Sequence, residues 1–150
     1  TILGEGRSSR LYRILQEQKR LVSDIDAFEE MFRRGGFLAV YACFDKSRTK
    51  AVTRAIWEVF DSLRDSLVQP EELAKVKTML CTDFLFANER ISSMASTLGD
   101  YQINHCLEQA SEYTDRMQSV TASQVQDIIR RYCRPESQVL GLVVPKKERN

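Results

Sequence analysis

The spacing of apolar residues in this chain changes near residue 44, and that change constrains the fold more than any other feature. From Leu21 to Phe28 apolar and polar residues alternate, a pattern typical of a half-buried β-strand. The run Phe37–Phe44 is apolar on both faces and rich in aromatic residues, which favours a central strand. The polar connection 29–36 ends in Arg-Arg-Gly-Gly, a turn signal. We therefore expect an antiparallel hairpin.

Beyond residue 50 the apolar residues recur every three or four positions, which predicts helices. The first such helix covers residues 52–67, and a second begins at Pro70, followed by the acidic pair 71–72 that suits a helix start. A long stripe over residues 73–91 continues, with a bend, to about Cys106. Leu80 and Phe84 lie in the middle of this stripe, so we expect them in the core, with Phe84→Ala costing about 3–5 kcal/mol.

The two ends of the chain complete the expected architecture. Ser8 or Ser9 can cap a first helix, and residues 108–117 form another short helix. The string 121–124 has the form of a capping box and opens a helix whose apolar face is Val125, Ile128, Ile129 and Tyr132. A last strand covers residues 139–144. The prediction is a single α+β domain over residues 1–150, with an antiparallel sheet of three strands and helices packed mainly on one face.

Composition excludes several functions. A net charge of +1 gives no reason to expect nucleic acid or an anionic membrane as a partner, and no apolar run is long enough to cross a bilayer. The one histidine, His105, is expected at a helix end or on the surface. Four scattered cysteines without a CxxC pair give no metal site, and we expect small buried side chains whose disulfide state stays open. No catalytic residue and no metal ligand is expected in this chain.

Three smaller features have an expected role. Gly4-Glu5-Gly6 precedes a helix but lacks the remainder of a phosphate loop, so it is expected to be a turn that lets the helix pack closely. Asp24 and Asp26 share one strand face, which we expect to be solvated rather than catalytic. Met31-Phe32 is an apolar pair at the hairpin tip, where it would touch another domain or subunit.

Four strings in order resemble a known family. They are the opening Leu-Gly-Glu-Gly-Arg-Ser-Ser-Arg-Leu-Tyr at 3–12, Gly-Gly-Phe at 35–37, Val-Gln-Pro-Glu-Glu-Leu-Ala-Lys at 68–75 and Ser-Val-Thr-Ala-Ser-Gln-Val at 119–125. Together with Pro135 and the run 139–145, they are similar to the C-terminal domain of the insulinase-like (M16) zinc metallopeptidases. The family's inverted HxxEH zinc motif is absent from the sequence. The resemblance also implies that a leading strand and helix of the domain lie outside this chain.

The resemblance implies a non-catalytic role. The chain would shape a peptide-binding chamber and pack on the catalytic M16 domain of the same chain or of a partner subunit, which would hold the zinc and act on extended peptides. The alternative is a structural subunit of the same fold without proteolysis, resembling the core proteins of respiratory complexes; a third hypothesis is a free-standing binding module. A homodimer is a further expected assembly. A soluble protein of a bacterial cytoplasm or periplasm is expected.

The resemblance also singles out two positions as candidate substrate contacts. Many M16 enzymes carry an arginine on the first helix and a tyrosine seven residues later, which orient the scissile carbonyl. The matching positions here are Gln16 and Ser23. A neutral amide and a short hydroxyl stabilise a developing oxyanion poorly. This chain is therefore expected not to supply that pair.

Overall fold

A computed structural model describes residues 1–32, 34–104 and 107–145. A π-helix over Tyr12–Gln18 is followed by two strands, β1 (Asp24–Phe32) and β2 (Gly35–Cys43). The remaining elements are helical: α1 (Thr49–Asp65), α2 (Pro70–Ala87), α3 (Ile91–Asn104), α4 (Leu107–Ser111), α5 (Tyr113–Ser119) and α6 (Ala122–Tyr132), with 3₁₀ turns at Lys46–Arg48 and Pro135–Ser137. The α+β class predicted from the sequence is confirmed.

The two strands form the expected antiparallel hairpin. Asp24 pairs with Cys43 at one end and Phe32 with Gly35 at the other. The predicted alternation is present from Asp24 to Phe28, since Ile25 and Ala27 are buried while their neighbours are exposed. The strand begins at Asp24 rather than Leu21, and Val22, expected on the face of Asp24 and Asp26, is buried. The predicted polar connection 29–36 is wrong, because β1 continues to Phe32 and β2 begins at Gly35. Of the predicted turn residues, Arg33 lies outside the described part.

The main core lies between the hairpin, the π-helix and α1. Its buried residues lie in these elements or directly beside them. They are Leu11, Leu15, Val22, Ile25, Ala27, Val52, Ala55 and Val59. A second cluster joins the end of α1 to α6 through Phe60, Leu63, Val68 and Ile129. These contacts place the helices against the Ile25–Ala27 face of the hairpin, as expected.

The start of the chain is fixed by one very close backbone approach. A Cβ added to Gly4 would lie 2.0 Å from the backbone nitrogen of Ala27, so only glycine fits there. The close approach expected at the glycine turn is therefore present, but it is made to strand β1 rather than by the following helix. The predicted serine cap is wrong: the hydroxyl of Ser9 is buried and donates to the carbonyl of Gly4 at 3.1 Å instead.

The predicted starts of α2 and α6 are confirmed. Pro70 occupies the first turn of α2, where its missing N–H had no partner, and acidic residues follow it. Thr121 and Gln124 form a reciprocal capping box at α6. The inward face of α6 is narrower than predicted, because Val125 and Ile129 pack on the second cluster while Ile128 and Tyr132 are exposed.

Helices α2 to α5 form a loosely covered layer, which contradicts the expected core role of Leu80 and Phe84. Neither α2 nor α3 has a buried residue. Phe84 is half-buried and stacks on Tyr113 with ring centroids 4.2 Å apart. The long predicted helix is also interrupted after Ala87, and its expected end at His105–Cys106 lies outside the described residues. An apolar stripe becomes core only where a second element covers it.

The third predicted strand, residues 139–144, is wrong in this structure. In the described part of the chain the sheet has two strands, and the side chain of Val139 is 95% exposed. The prediction of a central strand at 37–44 is wrong as well, since β2 pairs only with β1 there. Cys43 is exposed rather than buried, and Cys43, Cys81 and Cys133 are free thiols.

Candidate functional site

Gln16 lies in the π-helix, near the packed start of the chain. Its backbone shows the i to i−5 hydrogen bond of a π-helix, since the amide of Lys19 donates to the carbonyl of Ile14 at 2.9 Å. Single π turns are rare and occur often at functional sites. The side chain of Gln16 is half-buried, and its Oε1 is buried without a hydrogen-bond partner among the described residues. Buried polar atoms are normally hydrogen-bonded, so this acceptor is an exception among the described residues.

Ser23 lies immediately before β1 and is exposed. Its hydroxyl donates to the carbonyl of Cys43 at 3.1 Å, and its amide donates to the same carbonyl at 2.8 Å. The hydroxyl is therefore engaged in closing the end of the hairpin. The π-helix packs against β1, so Gln16 and Ser23 belong to neighbouring elements.

The far half of the hairpin carries an exposed apolar surface. We call residues 28–32 and 35–38 the hairpin arm. Phe28, Phe32 and Phe37 lie on one face, with the ring of Phe37 6.5 Å from that of Phe28 and 6.2 Å from that of Phe32. All three are about half exposed, and Met31 and Leu38 of the arm are exposed as well. The sequence pointed to Met31 and Phe32 but not to the extent of this surface.

A groove of about 700 Å³ runs beside β2, and we call it the strand groove. It is lined by residues 36–40 of β2, by residues 132–134 and 137–141 at and after the end of α6, and by one face of α1. The residues of that face are Thr53, Ile56, Trp57 and Phe60. The lone tryptophan of the chain joins α1 to the segment after α6, because the Nε1 of Trp57 donates to the Oε1 of Gln138 at 3.1 Å. The signal in the sequence was the apolar run 37–44, which has no second neighbouring strand here.

The described residues contain no group of three or more His, Cys, Asp or Glu side chains placed to hold a metal ion. His105 lies outside the described residues. Asp24 and Asp26 are exposed, as expected for a solvated face, and the Oδ1 of Asp26 accepts from the amide of Ala27 at 2.8 Å. In the part that the structure describes, no helix combines the length and apolar character that a membrane span requires.

One ion pair ties the π-helix region to α2. The Nε and Nη2 atoms of Arg10 donate to the two carboxylate oxygens of Glu72 at 2.9 and 2.7 Å. These hydrogen bonds lower the pKa of Glu72 below its ordinary value of 4.5, against a smaller opposing effect of burial. Such a two-pronged pair fixes orientation as well as distance. It holds the segment before Gln16 against the first turn of α2.

The chain has relatives among curated proteins. A zinc protease of Mycobacterium tuberculosis strain H37Rv, described as uncharacterized, is 29% identical over 131 residues, which are 87% of this chain and 30% of that protein. A similarly described zinc protease of Mycobacterium leprae is 29% identical over 150 residues, 98% of this chain and 34% of that protein. The chain thus spans about a third of the length of these relatives.

Solved structures show the same fold. The inactive peptidase domain of an inferred zinc protease from Bordetella parapertussis superposes with a TM-score of 0.85 at 18% identity, covering 99% of this chain and 80% of that one. A protease from Helicobacter pylori gives 0.78 at 24% identity, covering 88% and 32%. The family model described as the peptidase M16 inactive domain matches residues 1–80, just over half of the chain. The chain therefore belongs to the peptidase M16 inactive-domain family.

Proposed function

We propose that this chain is the non-catalytic half of a zinc endopeptidase, and that it closes a peptide-binding chamber by packing on the zinc-bearing half through the hairpin arm. The relatives' description as zinc proteases supports zinc in the whole protein. The observation that carries the proposal is the arm itself, whose three clustered phenylalanine rings are exposed. Exposed apolar patches of this kind mark interaction sites, and aromatic side chains dominate their binding energy.

The test uses the full-length polypeptide that contains this domain. Phe32→Asp places a charge at the tip of the arm, away from both core clusters. Because losing one central aromatic contact costs about 2 kcal/mol or more, we expect hydrolysis of an extended peptide to fall at least about 10-fold. Ile128→Asp, on the exposed side of α6, is the matched control and should stay within about twofold, as surface substitutions normally do.

Equal activity in the two variants would contradict docking through the arm. Removal of zinc with a chelator should abolish hydrolysis in the unaltered protein. A zinc-loaded, folded full-length protein with no activity on any extended peptide would instead select the structural-subunit alternative. The neutral side chains at Gln16 and Ser23 are compatible with that alternative, because neither stabilises an oxyanion well.

For Gln16 and Ser23 we propose a position facing the chamber. The support is the place of Gln16 on a π turn, which occurs often at functional sites, and the exposure of Ser23. In the full-length protein, Gln16→Arg with Ser23→Tyr should change kcat, because a guanidinium and a phenol would then reach the scissile carbonyl. Glu17→Arg, one residue along and exposed, is the control. Unchanged kinetics in the double variant would place the two positions outside the chamber.

A further inference from the structure

One face of the hairpin stays largely exposed in the described structure. The helices pack against the face that carries Ile25 and Ala27. Because successive side chains of a strand point to opposite faces, the alternate residues form a second face. We call it the outer face, and its residues are Asp24, Asp26, Phe28, Glu30 and Phe32 of β1 with Gly35, Phe37, Ala39, Tyr41 and Cys43 of β2. It contains the three phenylalanines of the hairpin arm, so its charge bears on what the arm contacts.

The outer face is acidic, and β1 supplies the charge. Strand β1 contains Asp24, Asp26, Glu29 and Glu30 and no basic residue, while β2 contains no charged residue. All of these carboxylates except that of Glu29 lie on the outer face. In the described part of the chain, the ion pairs involve other acidic residues. The whole chain has a net charge of +1, so the acidic character is local to this face.

The strand register places an aromatic ring opposite two of these carboxylates. Asp26 pairs with Tyr41, and Glu30 pairs with Phe37. Side chains directly opposite each other in an antiparallel pair have Cβ atoms about 5 Å apart. The carboxylate attracts an ammonium or guanidinium group, and the ring attracts the same cation and covers its alkyl stem. Each carboxylate–ring pair is therefore suited to receive one basic side chain.

A cavity of about 380 Å³ adjoins the first of these pairs. Its lining includes Asp26 and Tyr41 together with Asp24 and Tyr12. Arg7 also lines the cavity, but among the described residues no ion pair joins it to either aspartate. Two carboxylates against one guanidinium leave the lining negative. A basic side chain entering from outside would find both space and opposite charge there.

We propose that the outer face docks on a basic strip of the zinc-bearing half, with one lysine or arginine side chain beside Asp26 and Tyr41 and a second beside Glu30 and Phe37. The inference rests on the proposed function and adds the chemical character of the surface that the arm contacts. The two pairs are four residues apart along β1, so the two basic groups would lie roughly 13 Å apart. The phenylalanines beside them supply the apolar part of the contact.

A second copy of this chain is a poorer occupant of the outer face. A two-fold contact joins the same patch on both copies. It would bring the carboxylates of the two faces together without opposite charge between them, and like charges across an interface oppose association. A basic partner surface has the complementary charge.

The salt dependence of hydrolysis by the full-length polypeptide tests the proposal, with an uncharged extended peptide as substrate. The unaltered protein should lose activity as salt rises, because the Debye length falls from about 30 Å at 0.01 M to about 3 Å at 1 M. Asp26→Lys with Glu30→Lys should lower activity at least about 10-fold at low salt, because basic groups would then face a basic strip. Salt screens that repulsion, so this variant should recover activity as salt rises.

Two further variants separate charge from shape. Asp26→Asn with Glu30→Gln preserves the shape of both side chains and should flatten the salt dependence. Asp65→Lys with Asp127→Lys, on the exposed sides of α1 and α6, makes the same change in net charge away from the hairpin. This control should behave as the unaltered protein does.

The reaction of carboxylates with a carbodiimide and an added amine gives a reading that does not depend on activity. Mass spectrometry measures the labelling rate at each carboxylate in the folded full-length protein. We expect Asp26 and Glu30 to react at least about 10-fold more slowly than the exposed Asp65, because docking covers them. In the Phe32→Asp variant their rates should rise towards that of Asp65.

Three results would each overturn the proposal. The first is the same salt response in the charge-reversed variant and in its control. The second is slow labelling that appears only when peptide is added, which would assign the face to the substrate. The third is slow labelling that grows with protein concentration, which would assign it to a second copy. If Phe32→Asp lowers hydrolysis while the charge-reversed variant matches its control, docking stands and the basic strip is wrong, so the two failures are distinguishable.

Discussion

At the scale of single residues, two contacts hold the start of the chain in place, and both link positions far apart in sequence. Because Gly4 has no side chain, the backbone of Ala27 can lie against it, and Arg10 forms an ion pair with the carboxylate of Glu72. The sequence predicted a close contact at Gly4, because a glycine before a helix indicates close packing, but it did not predict the contacting residue. The ion pair was not predicted, because nothing in the local pattern says that Arg10 and Glu72 meet. The unpartnered oxygen of Gln16 could not be predicted either, because the local sequence does not show which elements surround a side chain.

Gly4→Ala should destabilise the chain by about 2–3 kcal/mol, because a methyl group there would overlap the backbone of Ala27 and strand β1 cannot shift freely. Chemical denaturation followed by Trp57 fluorescence measures this. Gly99→Ala is the control: it lies in α3 with open space around its Cα, and alanine should stabilise that helix by up to about 1 kcal/mol. Similar effects at the two glycines would contradict the close approach.

The Arg10–Glu72 pair gives a pH dependence of defined sign. The pKa of Glu72 is lower in the folded chain than the ordinary 4.5, so its contribution is present above that value and is lost as pH falls through the lower folded pKa. Both side chains are partly exposed, so we expect Glu72→Gln to cost about 1 kcal/mol at pH 7. Denaturation series at several pH values should show the difference shrinking below pH 4.5. A difference that stays constant into strong acid would exclude the ion pair as its cause.

At the scale of secondary-structure elements, the sequence predicted those whose signals are local. Two such signals lie within a few residues of sequence, and both are present in the structure. They are the capping box of Thr121 and Gln124 and the proline at the start of α2. The stripe that contains Leu80 and Phe84 was a sound helix signal but an unreliable core signal, because burial needs a covering partner. The strand expected at 139–144 failed for the same reason, since pairing requires a second strand beside it. The π turn has no sequence pattern by which it could be found.

The helices should differ in how readily they open. Five residues of α1 are buried, whereas α2 and α3 bury none. In the chain alone we expect amides in the middle of α1 to exchange at least about 100-fold more slowly than those in the middle of α3, because local opening of α3 exposes little apolar surface. Hydrogen exchange with mass spectrometry measures both helices in one sample. Equal rates would mean that the whole chain opens as one unit.

At the scale of the whole molecule, apolar surface is unevenly distributed. The buried core is concentrated around α1 and the hairpin, while the hairpin arm and side chains on α2 and α3, such as Phe86 and Ile91, are exposed. A net charge of +1 provides little repulsion between copies. Both features favour contact with another protein surface. The sequence showed the low charge and one apolar pair, while the exposure of the other apolar side chains depends on how the elements pack.

The chain produced alone should therefore self-associate. Light scattering over a concentration series should show a mass that rises above the monomer in the high micromolar range, through burial of exposed apolar surface. Phe32→Asp should shift that rise to higher concentration, and Ile128→Asp should leave it in place. A strictly monomeric mass throughout, with a cooperative thermal transition, would contradict the prediction.

The hairpin arm also bears on the fate of the protein in the cell. Uncovered aromatic surface on a folding intermediate or an unassembled subunit exposes it to aggregation and to triage by chaperones and proteases. Under the proposed docking, a copy of this domain without a catalytic half would present Phe28, Phe32 and Phe37 to that machinery. Docking would hide the three rings and end the exposure. In the proposed assembly, this surface would then couple the abundance of the domain to the supply of its partner.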